Sequence, residues 1–346
     1  MSKFTNRRNA IGLMGSIGVC SVLGGSIIGM RSAYAQSRKL RVTASTRPTP
    51  EAYILASGGW AKALPAGVGI ETTAVASGAQ IMAALASGSA DLSNVGSTPM
   101  LTGICNGLDV SVVYVHSTTL TSEGLVARNG SGINSVADLR GKTVGVTFNT
   151  STHFALLAAL NVTGVPASEV KLVNARADTL PALWQRGEIA ATYTWDPVLS
   201  QLAKENGKRI FQSGDLVKHG ILAFDAICVR NDFKKNNPDL VMAHLTEYVR
   251  ACKLFQQGHP DLVPTLAKHT QVPEDGVRDF IKTFEILTPQ QVVSKEWMGR
   301  PGETDAGIYK SLAFQANFMK QLGQVQSVPA SFAQYVDSSF AVRLAA

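Results

Sequence analysis

Short apolar runs alternate with stretches of helical spacing through the first two thirds of the chain. The apolar runs predict strands at 40–44, 70–76, 92–95, 110–116, 125–128, 143–147, 172–174, 191–193 and 226–230. The stretches between them predict helices at 51–64, 79–86, 99–106, 153–161, 180–186 and 197–205, and a short one that ends at Arg140-Gly141. Beyond residue 230 the pattern becomes almost wholly helical, over 238–256, 260–269, 274–284 and 306–322.

The predicted strands are continuously apolar rather than alternating, which is typical of parallel sheets covered by helices on both faces. This pattern predicts the α/β fold class. Sheets of this kind bind ligands at the carboxyl ends of their strands, so the turns that follow the strands are where a site is expected.

The first 35 residues do not follow this pattern. A basic start with Lys3 and the Arg7-Arg8 pair precedes an uncharged run over 9–30. Ala33-Tyr34-Ala35 then places small residues at the two positions that a signal peptidase recognises. The paired arginines favour a twin-arginine export signal, with a Sec signal as the alternative. We predict cleavage after Ala35 and a mature protein in the periplasm.

Composition narrows the class of protein. Removing the signal leaves 311 of the 346 residues, enough for one large domain or two ordinary ones. Four cationic residues and no acidic one leave with it, so the formal net charge falls from +7 to +3. That charge is too small to predict nucleic-acid binding, and no run of five Lys or Arg occurs. We expect a monomeric globular protein without a cofactor.

Metal sites, disulfide frameworks and hydrolase centres have no signature in the mature chain. Cys105, Cys228 and Cys252 allow at most one disulfide and have neither zinc nor redox spacing. The histidines are scattered, and His153, which stands beside a candidate binding element, is expected to cap or pack rather than to act as a base. No G-x-S-x-G, P-loop, H-E-x-x-H or C-x-x-C motif occurs. We therefore expect no metal, and a binding protein rather than an enzyme.

Hydroxyl side chains stand at four junctions where a predicted strand gives way to a helix. They are Thr46, Ser77, the Ser97-Thr98 pair, and Thr150 with Thr152. Each alone is an ordinary helix cap. Together with the unpaired N–H groups and positive dipole ends of the helix starts, they predict a site for a tetrahedral oxyanion such as a sulfonate or phosphonate.

Three residues further along the chain predict contacts to another part of a ligand. Trp195 offers an aromatic face after a short strand. Asp196 either pairs with a ligand cation or begins the next helix, and both interpretations stay open here. Asp225 lies inside the apolar segment 220–229, where an unpaired charge is costly. It pairs either with an internal Arg or with a bound ammonium group, and we favour the ammonium.

Short motifs are spread over nearly the whole mature chain. They are SGA at 77–79 with AALASG at 83–88, NVGSTP at 94–99, SEGLV at 122–126, STHFALLAAL at 151–160, WQRGEI at 184–189 and LTPQQ at 287–291. With these motifs the chain resembles the periplasmic taurine-binding proteins of ABC importers, within the wider nitrate/sulfonate/taurine-binding family. The STH and WQRG elements point to the taurine branch.

The resemblance implies the two-lobe periplasmic-binding-protein (type II) architecture, with the ligand cleft between the lobes. Lobe 1 would hold residues 38–122 and 227–346, and lobe 2 residues 123–226. The implied sulfonate ligands are Ser77, Ser97, Thr98 and Thr152. Asp225 is implied as the partner of the ligand amine, and Thr150 and Trp195 as residues of the cleft wall.

Two residues depart from the family pattern. Arg47 stands where these proteins have a small polar residue, and Asp196 where some have a small apolar one. Arg47 either faces solvent, the commoner outcome for a charged residue in a loop, or adds a cation to the site. If Arg47 enters the site, a ligand with a carboxylate or a second anionic group is favoured.

The sequence thus predicts the substrate-binding component of an ABC importer. It would capture taurine or a related short sulfonate and deliver it to a membrane permease coupled to an ATPase. One alternative is a binding protein for another small anion, such as an alkanesulfonate, nitrate or a carboxylate, or for a signalling system. The other is an enzyme similar to the family's relatives that make a pyrimidine precursor, which act inside the cell.

Overall fold

The computed structural model describes residues 38–45, 47–219 and 221–346, with Ser45 described by its backbone alone. The predicted signal segment over 1–35 and Thr46 lie outside the described residues. The strands are β1 Lys39–Ser45, β2 Gly69–Val75, β3 Leu92–Gly96, β4 Val110–Thr118, β5 Glu123–Arg128, β6 Thr143–Val146, β7 Lys171–Asn174, β8 Ala191–Trp195, β9 Gly207–Gln212, β10 Phe224–Arg230 and β11 Glu285–Ile286.

The α-helices are α1 Pro50–Ser57, α2 Gly59–Ala63, α3 Gly78–Ser87, α4 Ser97–Cys105, α5 Ser151–Val162, α6 Leu180–Gln185, α7 Val198–Asn206, α8 Asn231–Asn236, α9 Pro238–Gln257, α10 Leu262–Thr270, α11 Glu274–Thr283, α12 Pro289–Val292, α13 Gly307–Gln321 and α14 Ser339–Ala345. Short 3₁₀ turns occupy Val136–Leu139, Ala167–Glu169, Ala177–Thr179, Ser213–His219 and Ala333–Tyr335. None of the helices in the described part of the chain is both long and apolar enough to cross a membrane.

The strands form two mixed sheets, so the fold is α/β as predicted. The larger sheet has the order β11-β4-β10-β3-β1-β2 and the smaller one the order β7-β6-β8-β5-β9. β1 runs parallel to β2 and β3, and β6 runs parallel to β7 and β8. β10 lies antiparallel between β3 and β4, and β5 lies antiparallel between β8 and β9.

The prediction of parallel sheets is therefore correct for the pairs made by β1 and β6 and wrong for those made by β5 and β10. A strand that is covered on both faces is largely apolar on both faces, whether its neighbours run parallel or antiparallel to it. β4, with the sequence VSVVYVHST, is buried at every position and pairs antiparallel with β10 and β11. The direction of a strand relative to its neighbours depends on the path of the chain between them. The chain enters the larger sheet again at β10, after it has formed the smaller sheet.

The division of strands between the sheets follows the chain. Strands of the smaller sheet lie between residues 123 and 212, and strands of the larger sheet lie before and after them. The chain passes from β4 to β5 through residues 119–122 and returns to β10 through 213–223. The lobe boundaries implied by the resemblance stay a prediction.

Local sequence chemistry explains most helix boundaries. The predicted helix over 51–64 is two helices, α1 and α2, because Gly58 adopts the left-handed conformation with φ of 66° and ends α1. Thr49 caps α1 by accepting a hydrogen bond from the Ala52 N–H, and Pro50 opens the first turn. β9, β11, α8, α12 and α14 were not predicted, since they are short or polar.

Candidate functional site

A cavity of about 100 Å³ is lined by residues from both sheets and from the helices that follow their strands. The smaller sheet and its helix α5 contribute Glu123, Thr150, Ser151 and Trp195 to its wall. The larger sheet and its helices contribute the rest, including four of the residues discussed below: Arg47, Glu51, Ser77 and Asp225. A site of this size suits a small molecule rather than a polymer.

The helices α3, α4 and α5 begin at the cavity, as does α1 through Thr49 and Glu51. Ser77 and Gly78 at the start of α3, Gly96 and Pro99 around the start of α4, and Thr150 and Ser151 at the start of α5 all line it. The first N–H groups of a helix have no partner within the helix, and the aligned peptide dipoles place partial positive charge there. The starts of α3, α4 and α5 thus make an anion site of backbone N–H groups, in a cavity that Arg47 also lines.

Glycine lets two of these helix starts approach each other. A Cβ on Gly78 would lie 2.4 Å from Cγ of Pro99, closer than non-bonded carbons approach. A Cβ on Gly96 would lie 3.3 Å from Oδ1 of Asp225 and would crowd that carboxylate. The SGA and GSTP motifs therefore supply hydroxyl groups and also the glycines that this close packing requires.

The structure divides the predicted hydroxyl residues into two groups. Ser77 and Thr150 line the cavity, and each caps its helix by accepting from the N–H of Gln80 or His153. Ser97, Thr98 and Thr152 are buried and do not belong to the cavity lining. Ser97 donates to Oε1 of Gln315 at 3.3 Å, and the hydroxyls of Thr152 and Thr150 lie 2.9 Å apart. Thr46 lies outside the described residues.

Asp225 lies on β10 at the cavity wall, and its partner is Arg47. The distance from Nη1 of Arg47 to Oδ2 of Asp225 is 3.9 Å. Burial raises the pKa of Asp225, and the Arg47 guanidinium opposes this rise. The internal Arg is thus one partner of Asp225, and the pairing with a ligand ammonium stays a prediction.

Of the two outcomes open to Arg47, the structure has the one in which its side chain enters the site. Its side chain is 26% exposed, lines the cavity, and places the guanidinium carbon 5.4 Å from the centroid of the Phe280 ring. Phe280 on α11 is fully buried and provides an aromatic face for the cation. The side chain turns inward because a carboxylate and a π face are both available there.

Glu123 is a second cavity carboxyl, and the sequence analysis did not single it out. It begins β5, stands opposite Trp195 in the ladder with β8, and is 4% exposed. Burial raises its pKa to about 7, although Ser151 donates a hydrogen bond to Oε1 at 2.5 Å. Asp225 raises the pKa further, and Arg47 lowers it. A charged residue directly before the apolar run of β5 was the available signal.

Glu51 is a third cavity carboxyl that the sequence analysis did not single out. It lies in the first turn of α1 and is 2% exposed. Burial raises its pKa from 4.5 to about 8, and Oε1 has no hydrogen-bond partner among the described residues. An acid in a first helical turn is ordinary at a surface, so no local signal marks this one.

Trp195 and Asp196 have different surroundings, although they are neighbours. Trp195 lines the cavity and is half-buried. Asp196 is fully buried outside the cavity lining. Its Oδ1 accepts from the Ser200 N–H at 2.8 Å and lies 3.6 Å from Nη2 of Arg209. Of the two interpretations of Asp196, these contacts match the helix start.

His153 and the three cysteines of the mature chain have structural surroundings. The His153 ring stacks on Phe148 with centroids 4.4 Å apart, and its Nδ1 accepts from the Asn149 N–H. Burial lowers the pKa of His153, so the ring is neutral. Cys105, Cys228 and Cys252 are free and buried. Among residues 38–45, 47–219 and 221–346, no three His, Cys, Asp or Glu side chains are grouped to hold a metal ion.

Comparisons with known proteins agree with this architecture. The family described as NMT1/THI5 like matches residues 57–261. The chain is 30% identical to the taurine-binding periplasmic protein of Escherichia coli (strain K12), over 88% of this chain and 94% of that protein.

Solved structures of the same fold include two sulfonate-binding proteins. The periplasmic aliphatic sulphonate binding protein SsuA from Escherichia coli aligns with a TM-score of 0.71 and 19% identity, covering 84% of this chain and 94% of that one. The alkanesulfonate-binding protein SsuA from Xanthomonas axonopodis pv. citri, bound to MOPS, aligns with a TM-score of 0.70 and 19% identity, covering 87% and 98%. At this identity the likeness establishes the fold, which is that of periplasmic binding proteins.

Proposed function

Because the chain belongs to the NMT1/THI5-like family, we propose that it is the periplasmic substrate-binding component of an ABC importer and captures taurine or a related short sulfonate. The curated relative is named for binding taurine in the periplasm, and the chain covers 94% of that relative. The basic, apolar and Ala-x-Ala order of the first 35 residues supports export with cleavage after Ala35.

The single observation that carries the proposal is the polarity of the cavity. Three helix N-termini offer N–H groups and positive dipole ends to an anion. Asp225 and Glu123, both buried and both in the lining, offer carboxyl oxygens to a cation. A small zwitterion with a sulfonate at one end and an ammonium at the other satisfies both parts.

The binding groups act as follows in this proposal. The starts of α3, α4 and α5 hold the sulfonate: Ser77 and Thr150 offer hydroxyls from the cavity lining, and Ser97, Thr98 and Thr152 offer backbone N–H groups of the first helical turns. Asp225 pairs with the ammonium, with Glu123 beside it, and Trp195 covers the carbon linker. Thr46 belongs to the same set by its place after β1.

Ligand capture would involve closure and no covalent change. Glu123, Thr150 and Trp195 come from the smaller sheet and its helix, whereas Asp225 and Ser77 come from the larger sheet and its helix. A ligand that contacts both sets favours the state in which the two lobes are closed, since only that state makes all the contacts. The closed monomer would then deliver the ligand to a membrane permease that is coupled to an ATPase.

The test is calorimetric titration of the mature protein, freed of any co-purified ligand by unfolding and refolding. Taurine is compared with ethanesulfonate, β-alanine and nitrate. Taurine binding well above the other three supports an anion subsite and an amine subsite that act together. If β-alanine or nitrate binds and neither taurine nor ethanesulfonate gives a binding signal, the result would contradict a sulfonate receptor.

The role of Asp225 is tested with D225N. Loss of a charged hydrogen bond costs about 1.5–3 kcal/mol, so taurine affinity should fall by about tenfold to a hundredfold, and ethanesulfonate affinity far less. Asp239→Asn, at an exposed Asp paired with Arg38, is the matched control. Equal losses for taurine and ethanesulfonate in D225N would remove Asp225 from the amine subsite.

A further inference from the structure

Building on the proposed function, we infer that the preferred ligand is a sulfonate that carries an α-amino acid headgroup, and that Arg47 binds the carboxylate of that headgroup. Cysteate, 2-amino-3-sulfopropionate, is the simplest molecule of this class. It differs from taurine by one carboxylate, placed on the carbon that bears the ammonium.

The inference starts from the position of Arg47. Its side chain lines the cavity beside Asp225 and lies over the Phe280 ring. A guanidinium has a planar fork of donors that matches the two oxygens of a carboxylate. With the helix N-termini already suited to the sulfonate, Arg47 adds a second anion-binding group to the same cavity.

The spacing of charges supports an α-amino acid headgroup. The guanidinium nitrogen of Arg47 and the carboxylate oxygen of Asp225 are 3.9 Å apart, so a cation and an anion of the protein lie side by side. In an α-amino acid the ammonium nitrogen and the carboxylate oxygens are roughly 3 Å apart, as bond lengths require. The headgroup therefore presents an anion and a cation at a spacing close to that of Arg47 and Asp225.

Taurine matches the same pair less well. Its ammonium would have to share Asp225 with Arg47 and would place a second cation beside the guanidinium. An added carboxylate offsets that repulsion because it gives Arg47 an anion from the ligand. The extra group thus changes an unfavourable contact into a favourable one.

The space beyond Arg47 accommodates the larger headgroup. A second cavity, of about 240 Å³, shares Arg47, Ala76 and Trp195 with the first. Arg47 therefore borders both spaces, and a carboxylate that it binds has room on the side of the second cavity. Arg176 also lines this second cavity, but its side chain is 65% exposed and pairs with Asp178.

The first experiment uses the unaltered mature protein, so it does not depend on the folding of any variant. Calorimetric affinities are measured for cysteate, taurine, 3-sulfopropionate and ethanesulfonate, with aspartate as the analogue in which a carboxylate replaces the sulfonate. We expect cysteate to bind at least about tenfold more tightly than taurine, the gain typical of one bidentate charged contact. It should also exceed 3-sulfopropionate, which lacks the ammonium, and aspartate, which lacks the sulfonate.

The second experiment assigns the preference to a residue. In R47S the ratio of cysteate to taurine affinity should fall at least about tenfold. R176S is the matched control at the second cavity and should keep the affinity ratio of the unaltered protein. If the ratio of cysteate to taurine affinity falls in R176S but not in R47S, the assignment to Arg47 is overturned.

The outcomes separate this inference from the proposed function. If the sulfonates bind and taurine binds as tightly as cysteate or more tightly, the inference is overturned and the sulfonate receptor stands. If aspartate binds and none of the sulfonates does, both are overturned.

Discussion

Glu51 gives the ligand-free protein a pH dependence that can be measured directly. Burial raises the pKa of Glu51 from 4.5 to about 8. In the unfolded chain the group ionises near 4.5, so unfolding between these two pH values releases a proton. The unfolded state then binds fewer protons than the native state, and stability falls as the pH rises through this window. The contribution is fully present below 4.5 and is lost as the pH rises through about 8.

The expected size follows from the two pKa values. The difference corresponds to about 5 kcal/mol once the pH exceeds both values, and to about 3 kcal/mol at pH 7. E51Q removes the titrating proton and keeps the shape of the protonated side chain. At pH 4.5 the variant should therefore be about as stable as the unaltered protein, and at pH 7 it should be more stable by about 3 kcal/mol.

The assay is urea unfolding of the mature, ligand-free protein, followed by tryptophan fluorescence, at intervals between pH 4.5 and 9. E274Q is the control, since Glu274 also lies in a first helical turn but is exposed, and its difference from the unaltered protein should stay small. If the gap between E51Q and the unaltered protein grows by less than about 1 kcal/mol over this range, Glu51 is solvated or paired in solution. The argument from burial would then fail.

Two further predictions concern neighbouring acids. Burial places the pKa of Glu123 at about 7, so taurine binding at pH 7 should release about half a proton, whereas ethanesulfonate should release none. Calorimetry in buffers of different ionisation enthalpy measures this, and equal proton exchange for both ligands would contradict it. D196N should lower the free energy of unfolding by about 1–3 kcal/mol, because Asp196 holds the Ser200 N–H and Arg209. Taurine affinity, measured beside the urea midpoint, should stay within about twofold, and a large loss without destabilisation would return Asp196 to the site.

Local sequence chemistry predicts the parts of this site that depend on a short stretch of chain. Ser77 and Thr150 stand at helix starts, and a hydroxyl followed by helical spacing marks such a start. Asp225 stands out because a charge inside an apolar strand requires a partner. Trp195 is the last residue of β8, a strand that the run over 191–193 predicts. Each of these residues lines the cavity.

Features that depend on contacts between distant segments of the chain could not be predicted from local sequence. Glu51 is buried because α1 packs against α9 and α10, which are far away along the chain. Arg47 turns inward because Phe280, on α11, lies beneath it. Strand direction has the same origin, since β10 is antiparallel only because the chain returns to the larger sheet between β3 and β4. Hydropathy along a segment contains none of this information.

The arrangement of charge also indicates which kind of ligand suits the cavity. Three carboxyls, Glu51, Glu123 and Asp225, line a space of about 100 Å³ in which Arg47 is the cationic side chain among the described lining residues. Burial raises the pKa of each carboxyl because it removes water from the charged form, and Asp225 raises the pKa of Glu123 further. A bound ammonium beside Asp225 and Glu123 lowers the pKa values of these two carboxyls. The sulfonate of the same ligand lies at the helix N-termini, so the ligand as a whole is neutral or nearly so. A zwitterion therefore suits this cavity better than either a plain anion or a plain cation.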